Sequence, residues 1–136
     1  MKNTIGIVGG MGPLATCDLF RKIIEVTEAG SDQEHVRVVI DSNTEIPDRT
    51  AAILAGGKDP VPELRKSASH LVSIGADLLI MPCNTAHYFY DQVAPTVEVP
   101  FLHMIRETAA CLKRIRASFL YNFSSDNTLF AICKPS

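Results

Sequence analysis

The sequence predicts an α/β fold in which a doubly wound parallel sheet forms the middle of three layers. Three short apolar runs are each followed by a polar loop and a helical pattern, as expected where helical crossovers connect parallel strands. The polar loops begin near Gly9, Asn43 and Cys83, at the carboxyl ends of the predicted strands. Ligands of doubly wound sheets bind outside those ends, so the three loops are expected to converge on one site.

The first predicted strand, residues 4–8, is rich in β-branched side chains and leads into a glycine-rich loop at residues 9–13. A helix with apolar side chains at helical spacing follows at residues 14–27. Ala15 stands where the G-x-G-x-x-G dinucleotide fingerprint needs its third glycine, although Asp41 ends the second strand as that fingerprint requires. A dinucleotide site is therefore the weaker alternative, and a loop whose backbone amides approach a small acid is favoured.

The second strand is predicted at residues 36–40 and is followed by a loop with prolines and glycines up to residue 60. An amphipathic helix is predicted at residues 61–74. Its core face is expected to carry four side chains: Leu64, Ala68, Leu71 and Val72. Residues 99–104 are a candidate fourth strand, and a further helical pattern covers residues 105–115.

The segment after the third strand carries the strongest chemical signal. That strand is predicted at residues 77–81, and Pro82 ends it because proline has no N–H to donate. Cys83 then stands where the chain turns towards a helix that Asn84 or Thr85 is expected to cap. A helix N-terminus lowers the pKa of a thiol and attracts carboxylates. A reactive sulfur beside an anion site is predicted, with a buried packing cysteine as the alternative.

Composition excludes several classes of protein. A formal charge of −2 gives no electrostatic basis for binding nucleic acid or an anionic membrane, and no apolar run approaches the roughly 20 residues that span a bilayer. The chain starts without the apolar core of a signal peptide, and a reduced cytoplasmic setting is expected. The cysteines lack the CxxC or Cys/His spacing of zinc sites, so no metal is expected.

Cys17 and Cys111 are expected to be packed in helices, and His87 to lie on a helix surface.

Four segments together resemble the aspartate/glutamate racemase family, and within it the aspartate racemase branch. They are the strand and glycine loop at residues 5–16, the loop at 41–49, the Met-Pro-Cys-Asn-Thr-Ala-His run at 81–87 and the apolar run at 99–104. The resemblance implies a cofactor-independent amino-acid racemase, an isomerase, with two similar α/β domains that each contribute one cysteine. It assigns residues 1–115 to a racemase-like N-terminal domain and leaves residues 116–136 as a tail without a structural assignment.

The resemblance also implies roles for particular residues of this chain. Cys83 matches one of the two acid/base cysteines. Three residues match positions that hold the carboxylates of the substrate: Arg49, Asn84 and Thr85. Two residues match pocket-lining positions: Met11 and Asn43. The expected ligand is a small acidic amino acid, which is aspartate or a close relative.

One element of the family is missing from this sequence. The second domain of the family carries a Gly-Cys-Thr-Glu run, which this chain lacks, and Cys133 stands in an unmatched context. A truncated racemase that is weak or inactive alone is therefore expected, unless a second subunit of a homodimer donates the missing acid. Two alternatives remain: a non-catalytic α/β module that binds a small carboxylate, and a lyase or isomerase of the same superfamily that uses a lone cysteine.

Overall fold

The sheet consists of three parallel strands with the first strand in the middle. The computed structural model describes residues 3–121, with side chains as far as residue 116. The strands are β1 (Thr4–Gly9), β2 (Arg37–Ser42) and β3 (Leu78–Ile80), in the spatial order β2-β1-β3. Both neighbours of β1 run parallel to it. The parallel α/β architecture predicted from the sequence is confirmed.

Helices connect the strands and supply most of the core. The α-helices are α1 (Pro13–Val26), α2 (Arg49–Leu54), α3 (Val61–Ser73), α4 (Tyr90–Val93) and α5 (Met104–Tyr121), with short 3-10 helices at Asp32–Glu34, Thr85–Phe89 and Ala94–Thr96. Both α1 and α3 contact β1 and β2. The predicted core face of α3 is confirmed, since Leu64, Ala68 and Leu71 are fully buried and Val72 packs against them from a partly buried position.

Two predicted elements differ from the structure. The expected loop before residue 60 contains the helix α2, which begins because the carboxylate of Asp48 accepts a hydrogen bond of 2.6 Å from the backbone N–H of Ala51. The candidate fourth strand at 99–104 is reduced to one parallel bridge between Leu79 and Phe101. The last of those residues, Met104, is the first residue of helix α5.

Helix α5 belongs to a separate compact unit that begins at Met104. The helix continues past residue 115, where the resemblance was expected to end, as far as Tyr121. Residues 122–136 of the predicted tail, including Cys133, lie outside the described residues. Among the helices in the described part of the chain, none combines the length and the apolar character needed to cross a bilayer.

The loops after β1 and β2 meet at Gly10. Its φ of +92° lies in the left-handed region, and a Cβ built on it would stand 2.4 Å from the carbonyl carbon of Asn43. Any residue other than glycine would therefore be strained in its backbone and would also collide with the backbone of the neighbouring loop. This close approach joins two of the three loops that were expected to form the site.

Replacing Gly10 should test whether this approach is obligatory. Gly10→Ala is expected to lower the free energy of unfolding by clearly more than the roughly 1–2 kcal/mol of a left-handed alanine, because the collision adds to the backbone strain. Gly75→Ala is the matched control, since Gly75 also has a positive φ of 99° but a Cβ there would meet nothing within 4 Å. Urea unfolding measures both losses, and equal losses would contradict the close approach.

Candidate active site

Strand register brings the three predicted loops level with one another. The pairing sets one isoleucine from each strand side by side across the sheet: Ile40, Ile7 and Ile80. Three residues further along each chain stand Asn43, Gly10 and Cys83. The connections leave β1 towards β2 on one side and return to β3 on the other, so the carboxyl ends of β1 and β3 flank a topological switch point. Cys83 and the glycine loop therefore lie at the edge where doubly wound folds bind ligands.

The glycine loop is held by a hydroxyl of α1. The backbone N–H of Gly10 donates to Thr16 Oγ1 at 3.0 Å, and the Thr16 hydroxyl donates to the carbonyl of Gly12 at 3.3 Å. Met11, predicted to line the pocket, is buried in the same apolar cluster as Met81 and Cys83. The cluster thus links the loop after β1 to the loop after β3.

The side chain of Asn43 is engaged with α3. Its amide nitrogen donates to Glu63 Oε2 at 3.2 Å and to Ser67 Oγ at 3.1 Å, and its Oδ1 accepts from the backbone N–H of Glu45 at 3.0 Å. Ser67 is fully buried. These bonds fix the loop after β2, so Asn43 in this structure shapes the loop, and its predicted contact with a ligand stays a prediction.

Arg49 is the first residue of α2 and is partly buried. Its Nη1 donates to the carbonyl of Ile46 at 3.3 Å and to that of Pro47 at 3.1 Å. Its Nε is buried and has no hydrogen-bond partner in the part of the chain that the structure describes. Helix α2 contacts the 3-10 helix Thr85–Phe89, which directly follows the Cys83 turn. Arg49 therefore begins a helix that rests on the Cys83 segment.

Cys83 carries a free thiol that is 7% exposed. Its sulfur lies 3.5 Å from Thr85 Oγ1, and either atom can be the donor in that contact. Its backbone N–H donates to the carbonyl of Met81 at 2.9 Å. The thiol is thus close to a hydroxyl within an otherwise apolar cluster.

The predicted capping of a helix after Cys83 is wrong. Asn84 has helical dihedral angles (φ −59°, ψ −50°), whereas a capping residue is usually extended, and its side chain caps nothing. The Thr85 hydroxyl instead contacts the sulfur. The helix that follows starts as a five-residue 3-10 helix, and α4 continues it directly. Asn84 and Thr85 are both exposed at this edge, and their predicted contacts with carboxylates stay predictions.

His87 does not lie on the surface as expected. It is 6% exposed, and its Nδ1 lies 2.7 Å from the carbonyl oxygen of Cys83. Burial lowers the pKa of His87 below its usual value, and the nearby His103 acts in the same direction. The sequence offered one indication of this contact, since His87 follows Cys83 at a spacing of four residues.

The structure contradicts the expectation for another cysteine. Cys17 is exposed on α1, so the expectation that it is packed is wrong: only Thr16 is buried in that helix. Among the described residues, no group of three or more His, Cys, Asp or Glu side chains is placed to hold a metal ion.

Several known proteins that are similar to this chain are racemases or racemase homologues. The sequence profile of the family described as Asp/Glu/hydantoin racemase matches residues 8–120. The aspartate racemase of Picrophilus torridus is 40% identical, with a TM-score of 0.77 over 83% of this chain and 48% of that protein. An aspartate racemase homologue from Pyrococcus horikoshii OT3 is 26% identical, with a TM-score of 0.67 over 86% and 50% of the two chains.

A curated relative agrees with these structures. The broad specificity amino-acid racemase RacX of Bacillus subtilis strain 168 is 29% identical over 117 residues, which cover 76% of this chain and 47% of that protein. The chain spans about half the length of each of these relatives. The family profile matches most of this chain, so the chain belongs to the Asp/Glu/hydantoin racemase family.

Proposed function

We propose that this chain supplies one acid/base group of a cofactor-independent racemase for aspartate or a close acidic amino acid. The observation that carries the proposal is the free, buried thiol of Cys83 at the carboxyl end of β3, level with the loops after β1 and β2. Two relatives are named as an aspartate racemase and a broad specificity amino-acid racemase, which supports this class of reaction and substrate.

In the proposed reaction, the thiolate of Cys83 removes the α-proton of the bound amino acid. The electron pair of the broken C–H bond stays on the α-carbon as a carbanion that the adjacent carboxylate helps to delocalise. The sulfur is then a neutral thiol, and a proton returned to the opposite face of the planar carbon completes inversion. Because the α-proton is a very weak acid, positive charge and hydrogen-bond donors near that carboxylate must lower the barrier.

Arg49 is the proposed cationic partner of a carboxylate. Two of its donated hydrogen bonds go to backbone carbonyls, which hold the guanidinium in place. Its buried Nε still lacks a partner among the described residues, and a buried donor without a partner costs free energy that a carboxylate oxygen would recover. The contact of α2 with the segment after Cys83 supports a common site for the two residues.

Inversion needs a second acid on the face opposite Cys83. The other free cysteine in the described residues is Cys17. It is exposed on α1, the helix that follows the glycine loop. We therefore propose that the second acid comes from outside the described residues, from a further polypeptide segment or from a second subunit. The chain alone would also leave the substrate open to water, which weakens the electrostatic support of the carbanion.

The chain is expected to exchange the α-hydrogen of L-aspartate without inverting the carbon. In D₂O, Cys83 can return a deuteron to the face from which it took the proton, so α-deuteration should be at least about tenfold faster than formation of D-aspartate. NMR follows the deuteration, and chiral chromatography follows D-aspartate.

Two variants serve as controls for this exchange. Cys83→Ser should abolish deuteration, and Cys17→Ser should leave it unchanged because Cys17 lies on the exposed surface of α1. Rapid D-aspartate formation by monomeric protein, lost in Cys83→Ser, would refute the need for a second segment, whereas the same result in a homodimer would assign the second acid to the partner copy. The absence of any deuteration would instead favour the module that only binds a carboxylate.

Arg49→Lys is expected to weaken aspartate binding by about tenfold to a hundredfold, because lysine keeps the charge but cannot reproduce the planar set of donors. Isothermal titration calorimetry measures the affinity. Thermal unfolding of the same variant measures the stability that is lost with the hydrogen bonds of Arg49 to Ile46 and Pro47. Unchanged affinity in a folded variant would remove Arg49 from the site.

A further inference from the structure

We propose that His87 is a positioning residue, which as a neutral imidazole with its proton on Nδ1 holds the Cys83 carbonyl and so fixes the direction of the Cys83 thiol. The inference rests on the proposed function for its catalytic meaning, but the geometry of the histidine and the cysteine can be tested without any substrate.

The tautomer follows from the partner of the ring. A carbonyl oxygen can only accept a hydrogen bond, so the 2.7 Å contact between Nδ1 of His87 and the Cys83 oxygen requires the hydrogen on Nδ1. The neutral ring then has an unprotonated Nε2. The contact joins the backbone of Cys83 to a side chain four positions later.

The ring of His87 is held by other rings. Its plane lies within 6° of that of Tyr90 at a centroid distance of 6.2 Å, and His103 lies 4.7 Å from it with a tilt of 53°. The Tyr90 hydroxyl donates to the carbonyl of Phe101, which lies in the bridge to β3. The imidazole is therefore fixed to the end of the sheet and not only to its own 3-10 helix.

The environment also favours the neutral ring. Burial lowers the pKa of His87, His103 lowers it further, and the Cys83 carbonyl opposes both effects. Two titratable side chains pack against the ring, which are the His103 imidazole and the Tyr90 phenol. A neutral imidazole at pH 7 can hold the carbonyl without placing a fixed charge beside the sulfur.

Holding the carbonyl restricts the Cys83 backbone at both of its polar groups. The N–H of Cys83 is bound to the carbonyl of Met81, and its carbonyl is bound to His87. Rotation about the Cα–Cβ bond is then the main freedom left to the sulfur, which the Thr85 hydroxyl limits further. Loss of the His87 bond would free the turn and change the surroundings of the thiol.

The test compares His87→Asn with His87→Gln. The amide nitrogen of asparagine is as many bonds from the backbone as Nδ1, so His87→Asn can keep the bond to the Cys83 carbonyl, whereas glutamine places its nitrogen one bond further out. The rate of iodoacetamide alkylation of Cys83 against pH, measured by peptide mass spectrometry, reports the state of the thiol. Cys17 is exposed and serves as the internal control in the same sample.

The proposal expects His87→Asn to keep the alkylation profile of Cys83 and His87→Gln to change its rate by roughly fivefold to tenfold, as the loss of one hydrogen bond would. The profile of Cys17 should be the same in both. Equal profiles for the two variants, or a larger change in His87→Asn, would overturn the proposal.

A measurement on the unchanged protein decides the case if both variants unfold. The ¹⁵N shifts of the His87 ring should show the Nδ1–H tautomer at pH 7, and an Nε2–H tautomer would overturn the proposal. If the alkylation profile of Cys83 changes in His87→Gln but the protein exchanges no α-hydrogen, the positioning role is supported and the racemase function is contradicted. Failure of the positioning role can therefore be told apart from failure of the proposed function.

Discussion

The candidate site depends on the pairing of β1 with a parallel neighbour on each side. That pairing aligns the carboxyl ends of the three strands, so residues far apart in sequence leave the sheet at the same level. Gly10 then allows the first loop to touch the backbone of Asn43, while α2 rests on the segment after Cys83. A shift in the register of β3 would move the thiol away from both loops, whatever the identity of the loop residues.

The surroundings of Cys83 combine burial with a few polar groups. A thiol acts as a base only as its thiolate, which nearby hydrogen-bond donors or positive charge stabilise. The Thr85 hydroxyl is one such group, and Arg49 begins the helix packed against this segment. A polar side chain, that of Thr85, therefore lies at the sulfur.

Periodic patterns predicted the parts of the fold that bury a continuous face. Leu64, Ala68 and Leu71 recur at helical spacing because α3 packs on the sheet, and the predicted loops share one edge because parallel strands impose it. The structure differs from the sequence-based prediction where contacts between separate segments determine whether a side chain is buried. His87 is buried because the rings of Tyr90 and His103 pack beside it, and local sequence does not encode such packing. The Asp48 cap of α2 is a local sequence signal, but Pro47 directly before it is also typical of a loop.

The most direct test of a common site is to locate bound L-aspartate by NMR. The central claim is that the three loops hold one acidic amino acid, so titration should shift the Cβ resonance of ¹³C-labelled Cys83 and the Nε–H resonance of Arg49 with the same saturation curve. The buried Nε has an open hydrogen-bonding position for the ligand in the described structure, so its resonance should move strongly. Saturable shifts confined to residues away from Cys83 and Arg49 would contradict the account.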